Sequence, residues 1–317
     1  MRGEVHDALK LILSHRGQLA NDAQVADFLR YAVQRGLNLN DTWVADRAGR
    51  IVWATLPVVN PGRTMLLLMP DTAPAGDLPA CAELLDAVCD HFGRRGISMA
   101  QALLEPGAPI ADTLARDGRF VRLAELIYLQ GDVRRAPTAP AEGIAWQAYS
   151  PATHDRFAAT ILSTYEDSLD CPALNGVRGI EDIIRGHKGG GEFRPDLWLL
   201  ATDPAGVPLG VVLLAPIGSG DAIELVYLGV CPLARGRGIG HLLLAEAMAI
   251  ARSLGIASIT LAVDAQNVPA LRLYYGHGLH RLCSKLALMR DLRIEPSAPT
   301  SPHADAERSA APAASPL

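Results

Sequence analysis

The sequence predicts a mixed α/β fold, a sheet flanked by helices, built as two tandem copies. Three observations point there. Apolar runs alternate between a strand period and a helix period along the chain. The two halves show weak self-similarity at a spacing of about 160 residues. A glycine-rich bend, Arg235-Gly236-Arg237-Gly238-Ile239-Gly240, joins a strand-like run to a helical one.

The second copy reads in order as strand 144–149, helix 151–163, helix 180–187, and strands 197–201, 210–215 and 223–230. The bend then leads into helix 238–254, strand 258–263, helix 268–276 and a last strand, 283–289. Residue alternation marks the strands, and an apolar stripe through Leu242, Ala245, Met248, Ala249 and Arg252 marks the long helix. In the first copy Gly96-Ile97 opens a strand after a helix as Gly255-Ile256 does. Gly118 before an apolar strand mirrors Gly278, and Pro70 after a strand mirrors Pro232. Residues 1–135 therefore form one expected domain and 143–292 another. The proline-rich stretch 136–142 is the expected linker. Residues 293–317, rich in Pro, Ser and Ala, are expected to be a disordered tail.

Composition narrows the function. With 317 residues, 49% hydrophobic and 20% charged, the chain has the make-up of a globular protein with ample core. A net charge of −5 with scattered arginines offers no footprint for nucleic acid. No apolar run approaches a membrane span, and residues 1–16 lack a signal core, so a cytoplasmic location without membrane partners is the expectation. The five cysteines form no C-x-x-C pair, and the histidines at 241, 277 and 280 lack metal-ligand spacing, so no metal site is expected.

The bend carries the chemistry. Its glycines permit a tight turn, its arginines add positive charge, and the helix start leaves amides unpaired, an arrangement suited to a pyrophosphate. A Walker loop would need Gly-Lys-Ser/Thr where Gly240-His241-Leu242 stands. A dinucleotide fold would need G-x-x-G spacing at its end, and too few elements follow for its second half. Downstream, Asn267 caps a helix with Pro269 in its first turn.

The run from Asn267 to Leu279 resembles the N-x-x-A-x-x-L-Y-x-x-x-G-F signature of the GNAT acetyltransferase superfamily, with Leu279 where Phe is usual. Arg235 to Gly240 resembles that superfamily's Q/R-x-x-G-x-G/A loop, and the two motifs stand in the family's order. The resemblance spans residues 143–292. It implies acetyl-CoA as co-substrate, an amine acceptor, either a small molecule or a peptide, and direct transfer in a ternary complex without an acyl-enzyme.

It also implies roles. Glu224 is the candidate base that relieves the amine of its proton, and Tyr274 the acid that protects the leaving sulfur. Backbone amides of Leu228, Gly229 and Val230 would face the oxyanion, with Gly229 permitting a bulge. Arg235, Gly236, Arg237, Gly238, Ile239, Gly240, His241 and Asn267 complete the cofactor set. The acidic loop 164–172 would wall the acceptor side.

The first copy has Asp71-Thr72-Ala73-Pro74-Ala75-Gly76 in place of the bend, and Leu114 near the position of Tyr274. Negative charge and a proline without an amide proton are wrong for phosphate, so this copy is expected to have lost the cofactor. A tandem pair with one degenerate half resembles the mycothiol synthases in architecture, which says little about substrate. The rival reading is an acyl-CoA sensor that keeps the loop and performs no transfer.

Overall fold

The computed structural model describes residues 2–135, 143–218, 221–293 and 314–316. The expected linker, and all of the expected tail except Arg293 and 314–316, lie outside them. The chain divides into two compact units, Met1–Leu123 with Leu286–Leu317, and Ala124–Lys285. No helix among the described residues is long and apolar enough to cross a membrane.

The first unit contains α1 (Arg2–Ile12), α2 (Asp22–Arg35), β1 (Trp43–Arg47), β2 (Arg50–Asn60), β3 (Thr64–Leu68), α3 (Leu78–Gly93), β4 (Met99–Leu104) and α4 (Ile110–Arg116). Local signals set the ends of α2: Asn21 and Gln24 form a capping box, and Gly36 closes it in the left-handed region. Strands β1, β2 and β3 pair antiparallel, and β3 pairs parallel with β4. Cys81, Leu84, Leu85, Val88 and Cys89 of α3 close the core over Met65, Leu67, Ala100 and Ala102.

The second unit takes most of β5 (Val121–Asp132), then β6 (Ala145–Ala148), α5 (His154–Thr164), α6 (Ile180–Lys188), β7 (Trp198–Thr202), β8 (Pro208–Ile217) and β9 (Ala222–Val230). It continues with α7 (Ile239–Ser253), β10 (Ser258–Asp264), α8 (Val268–Gly276) and the first half of β11 (His280–Asp291). Its strand order is β5-β10-β9-β8-β7-β6. All neighbours pair antiparallel except β9 and β10. One face packs under α7, through Leu243, Leu244, Ala247 and Met248. The other packs under α5 and α6, through Phe157, Ile161, Ile183 and Ile184.

Two details differ from the sequence reading. The buried stripe of α7 runs through Leu244, Met248 and Ala251, so Arg252 lies beside it: its guanidinium donates to Val133 O at 3.0 Å. The closing strands also change company. β5, expected to finish the first domain, pairs with β10, while residues 286–291 of β11 pair with β4. An alternating apolar strand specifies which face it buries, not which neighbour it joins.

Candidate functional site: a splayed strand pair beside a glycine-rich helix start

The site begins where a pairing ends. β9 and β10 run together for three positions, Ala222 with Ser258, Ile223 with Ile259 and Glu224 with Thr260. Beyond Glu224 no further pairs join them, and a cavity of about 760 Å³ is lined by residues 225–230 of β9 and 261–263 of β10. Backbone groups on that edge of β9 thus have no strand partner.

β9 also bulges. Its register against β8 passes from Tyr227 opposite Leu213 to Leu225 opposite Leu214, so Val226 is the extra residue. The expected bulge at Gly229 is therefore corrected: Gly229 sits in regular register opposite Val211. Its lack of a side chain answers a close approach instead. A Cβ there would lie 2.6 Å from Thr164 Oγ1 and 2.8 Å from Tyr227 Cε1. Thr164 donates to Ile161 O at 2.6 Å, so its oxygen accepts from the Tyr227 hydroxyl at 2.7 Å.

The bend lies at the cavity's edge, with Gly236, Gly238, Ile239, Gly240 and His241 in its lining. Gly236 and Gly238 have φ of +73° and +78°, which an L side chain adopts only with strain. Arg235 N–H donates to Pro232 O, and those of His241 and Leu242 to Gly238 O. Among the described residues no carbonyl receives the amides of residues 236–240, and the N-cap Gly238 offers no side-chain cap. These amides, at the positive end of α7, fit a diphosphate.

The arginines divide their work. Arg235 turns inward: its guanidinium donates to Val230 O at 3.2 Å, Thr164 O at 3.0 Å and Glu166 O at 2.6 Å. It ties the loop after α5 to the end of β9, an architectural duty that the sequence did not reveal. Arg237 is exposed at the turn.

Asn267 caps α8 by accepting from Ala270 N–H at 3.3 Å, and its residue also lines the cavity. Tyr274, 7% exposed, lines the cavity as well. Burial, with the Asp170 charge adding, raises its phenol above the ordinary range, so it stays protonated. Leu228, Gly229 and Val230 reach the cavity; Glu224, half-buried at the last paired position of β9, lies one residue before the lining begins and is not part of it. His241 is exposed beside His277, ring centroids 5.1 Å apart.

The acidic loop contributes Asp167, Ser168, Leu169 and Asp170 to the lining of this cavity. Asp170 accepts from Asp264 N–H at 3.1 Å, and Asp264 accepts from Cys171 N–H at 3.2 Å. Burial raises the carboxyl of Asp170, and its hydrogen bond to the Asp264 backbone works against this. Nothing in sequence spacing joined these two acids.

A parallel pair that parts beside a glycine-rich helix start leaves backbone groups of β9 and α7 facing one cavity. Residues 170–279 match the family model described as Acetyltransferase (GNAT) family, and the chain carries a domain of that family. Over 273 residues it is 29% identical to the mycothiol acetyltransferase of Acidothermus cellulolyticus, covering 79% of each chain. Over 204 residues it is 28% identical to that of Beutenbergia cavernae, covering 64% of this chain and 61% of that relative's length. A GCN5-related N-acetyltransferase from Sphaerobacter thermophilus shares the fold at a TM-score of 0.56 and 18% identity, over 92% of this chain and 91% of that one.

Proposed function

We propose that this chain is an N-acetyltransferase that moves the acetyl group of acetyl-CoA directly onto an amine. The observation that carries the reading is one cavity holding three things: the amides of Gly236, Gly238, Ile239 and Gly240, unpartnered among the described residues, the open edge of β9, and the Tyr274 phenol. Gly236, Arg237, Gly238, Ile239 and Gly240 would hold the diphosphate, with Arg235 bracing the loop. Asn267 and His241 would flank the cofactor. A thioester arm laid along β9 would meet the free backbone of Leu228, Gly229 and Val230, whose amides suit an oxyanion.

In the transfer, the amine nitrogen attacks the thioester carbonyl and a C–N bond forms as the C–S bond breaks. Glu224 takes the proton from nitrogen, directly or through water. Tyr274 gives its proton to the departing sulfur, and CoA leaves as the thiol. No acyl-enzyme is needed, because the site gathers both reactants.

Thiol release from acetyl-CoA, measured against a panel of amines, tests the reading. The relatives' names direct the first trials to mycothiol-type acceptors. Glu224→Gln and Tyr274→Phe are each expected to lower kcat about 100-fold, with CoA affinity by calorimetry within twofold. Parent-rate transfer by the double variant would dismiss both residues. Tight CoA binding without transfer across the panel would leave a sensor.

A further inference from the structure

β5 arrives from the first half of the chain yet pairs over residues 126–132 with β10. Its register sets Gln130 opposite Thr260 and Tyr128 opposite Ala262, while Thr260 in turn pairs with Glu224 on β9. Side chains of directly paired residues share a face. Glu224, Thr260 and Gln130 therefore form one row across three strands. Tyr128 and Ala262 form the next, at the end where β9 and β10 part.

The opposite face of β10, Ile259, Leu261 and Val263, fills the core under α7. The Tyr128 row thus lies on the side of the sheet away from that core. Ala262 is exposed and lines the cavity, and its methyl leaves room for a ring to lean across. With strands about 5 Å apart, a tyrosine on β5 spans β10 toward a glutamate on β9.

The electrostatics agree with the register. Burial raises the Tyr128 phenol, and the nearby Cys283 and Glu224 add to it. The titratable groups around it are Glu224 on β9 and Cys283 on β11, with Lys285 two residues along the same face. Asp264 on β10 is committed to Cys171 and Gln266 amides.

We infer that Tyr128 is a residue of the acceptor side: its phenol, reaching over Ala262 beside Glu224, receives the incoming amine and holds it against that carboxylate. The first half of the chain, though its own loop is unsuited to a cofactor, thereby supplies part of the substrate site through its last strand. This inference rests on the transferase reading above.

Two measurements test it. Carbon-13 tyrosine NMR, with the Tyr128 signal assigned by Tyr128→Phe, follows the phenol through a pH titration without any need for activity. In Glu224→Gln the signal is expected to titrate at lower pH than in the parent, since a neighbouring negative charge is gone; an unchanged titration overturns the juxtaposition. Steady-state kinetics then read the role. Tyr128→Phe is expected to raise the acceptor KM about tenfold, with the KM for acetyl-CoA within twofold and the melting temperature unchanged. Equal acceptor KM in the two proteins overturns the role. If the parent acetylates no amine while the titration shifts, the pairing stands but the transferase reading falls, and the acceptor role with it.

Discussion

The two parallel crossovers among the described residues, β3 to β4 and β9 to β10, start alike and end differently. β3 and β4 pair at three positions, Thr64 with Met99, Met65 with Ala100 and Leu66 with Gln101, as β9 and β10 do. After β3, however, no residue of 71–77 has a positive φ. Asp77 stands at the start of α3, salt-bridged to Arg47 at 2.8 Å, and Pro79 removes an amide from the first turn. Asp71 accepts from Arg16 N–H at 3.0 Å, so the chain's own backbone occupies that carboxylate. Met69, Leu104, Ile110 and Leu114 pack into one core there. An acid at a helix start takes the place of an anion, whereas glycines at a helix start leave that place open. The same crossover thus leads to an acid at the helix start in one unit and to positive-φ glycines in the other.

The sharpest way to break this comparison is to exchange the loops. Replacing residues 235–240 by the sequence of residues 71–76 is expected to weaken CoA binding at least about 100-fold, or about 3 kcal/mol, by calorimetry. Gly238→Ala is the gentler variant. It places a Cβ at φ +78° at a cost of about 1–2 kcal/mol, keeps the fold by circular dichroism, and should bind CoA more weakly. Binding within threefold of the parent in both variants would show that the loop does not hold the nucleotide.

Much of this contrast was legible beforehand, for a local reason. Gly236 and Gly238 act through their own backbone, and the Asn267 side chain caps an amide three residues on, so spacing reveals them. Residues that act across the fold were not legible. Arg235 reads as a phosphate ligand until its carbonyl partners on the loop after α5 are seen. Gly229 reads as a bulge until Thr164 is found against it. The stripe on α7 was misphased because nearly every residue from Leu242 to Ala251 is apolar or small, which blunts periodicity. The exchange of β5 and β11 leaves no trace in alternation, and Tyr128 could not be placed without it.

The open half also encloses a titratable ring. His187 stacks on Tyr227, ring centroids 5.2 Å apart, and its enclosed Nε2 has no hydrogen-bond partner among the described residues. Burial, reinforced by the Arg178 charge, pushes its pKa down to about 4 from 6.5. The folded state therefore favours the neutral ring, and the unfolded chain takes up the proton first as pH falls. The contribution is intact above pH 6.5 and is lost between there and pH 4. From pH 7 to pH 5 the loss is about 2 kcal/mol. Urea unfolding of the parent and of His187→Phe should show that difference in acid slope, other groups titrating in both. Identical slopes would mean that the ring is protonated in the fold.

The smallest effect tests the packed half. Asp71 Oδ2 holds the Arg16 amide, while its enclosed Oδ1 has no partner among the described residues. Asp71→Ala removes one useful hydrogen bond and one unsatisfied acceptor together. The net cost is expected to be about 1 kcal/mol in unfolding free energy, with CoA affinity unchanged. A loss of CoA affinity beyond threefold would mean that this loop takes part in cofactor binding after all.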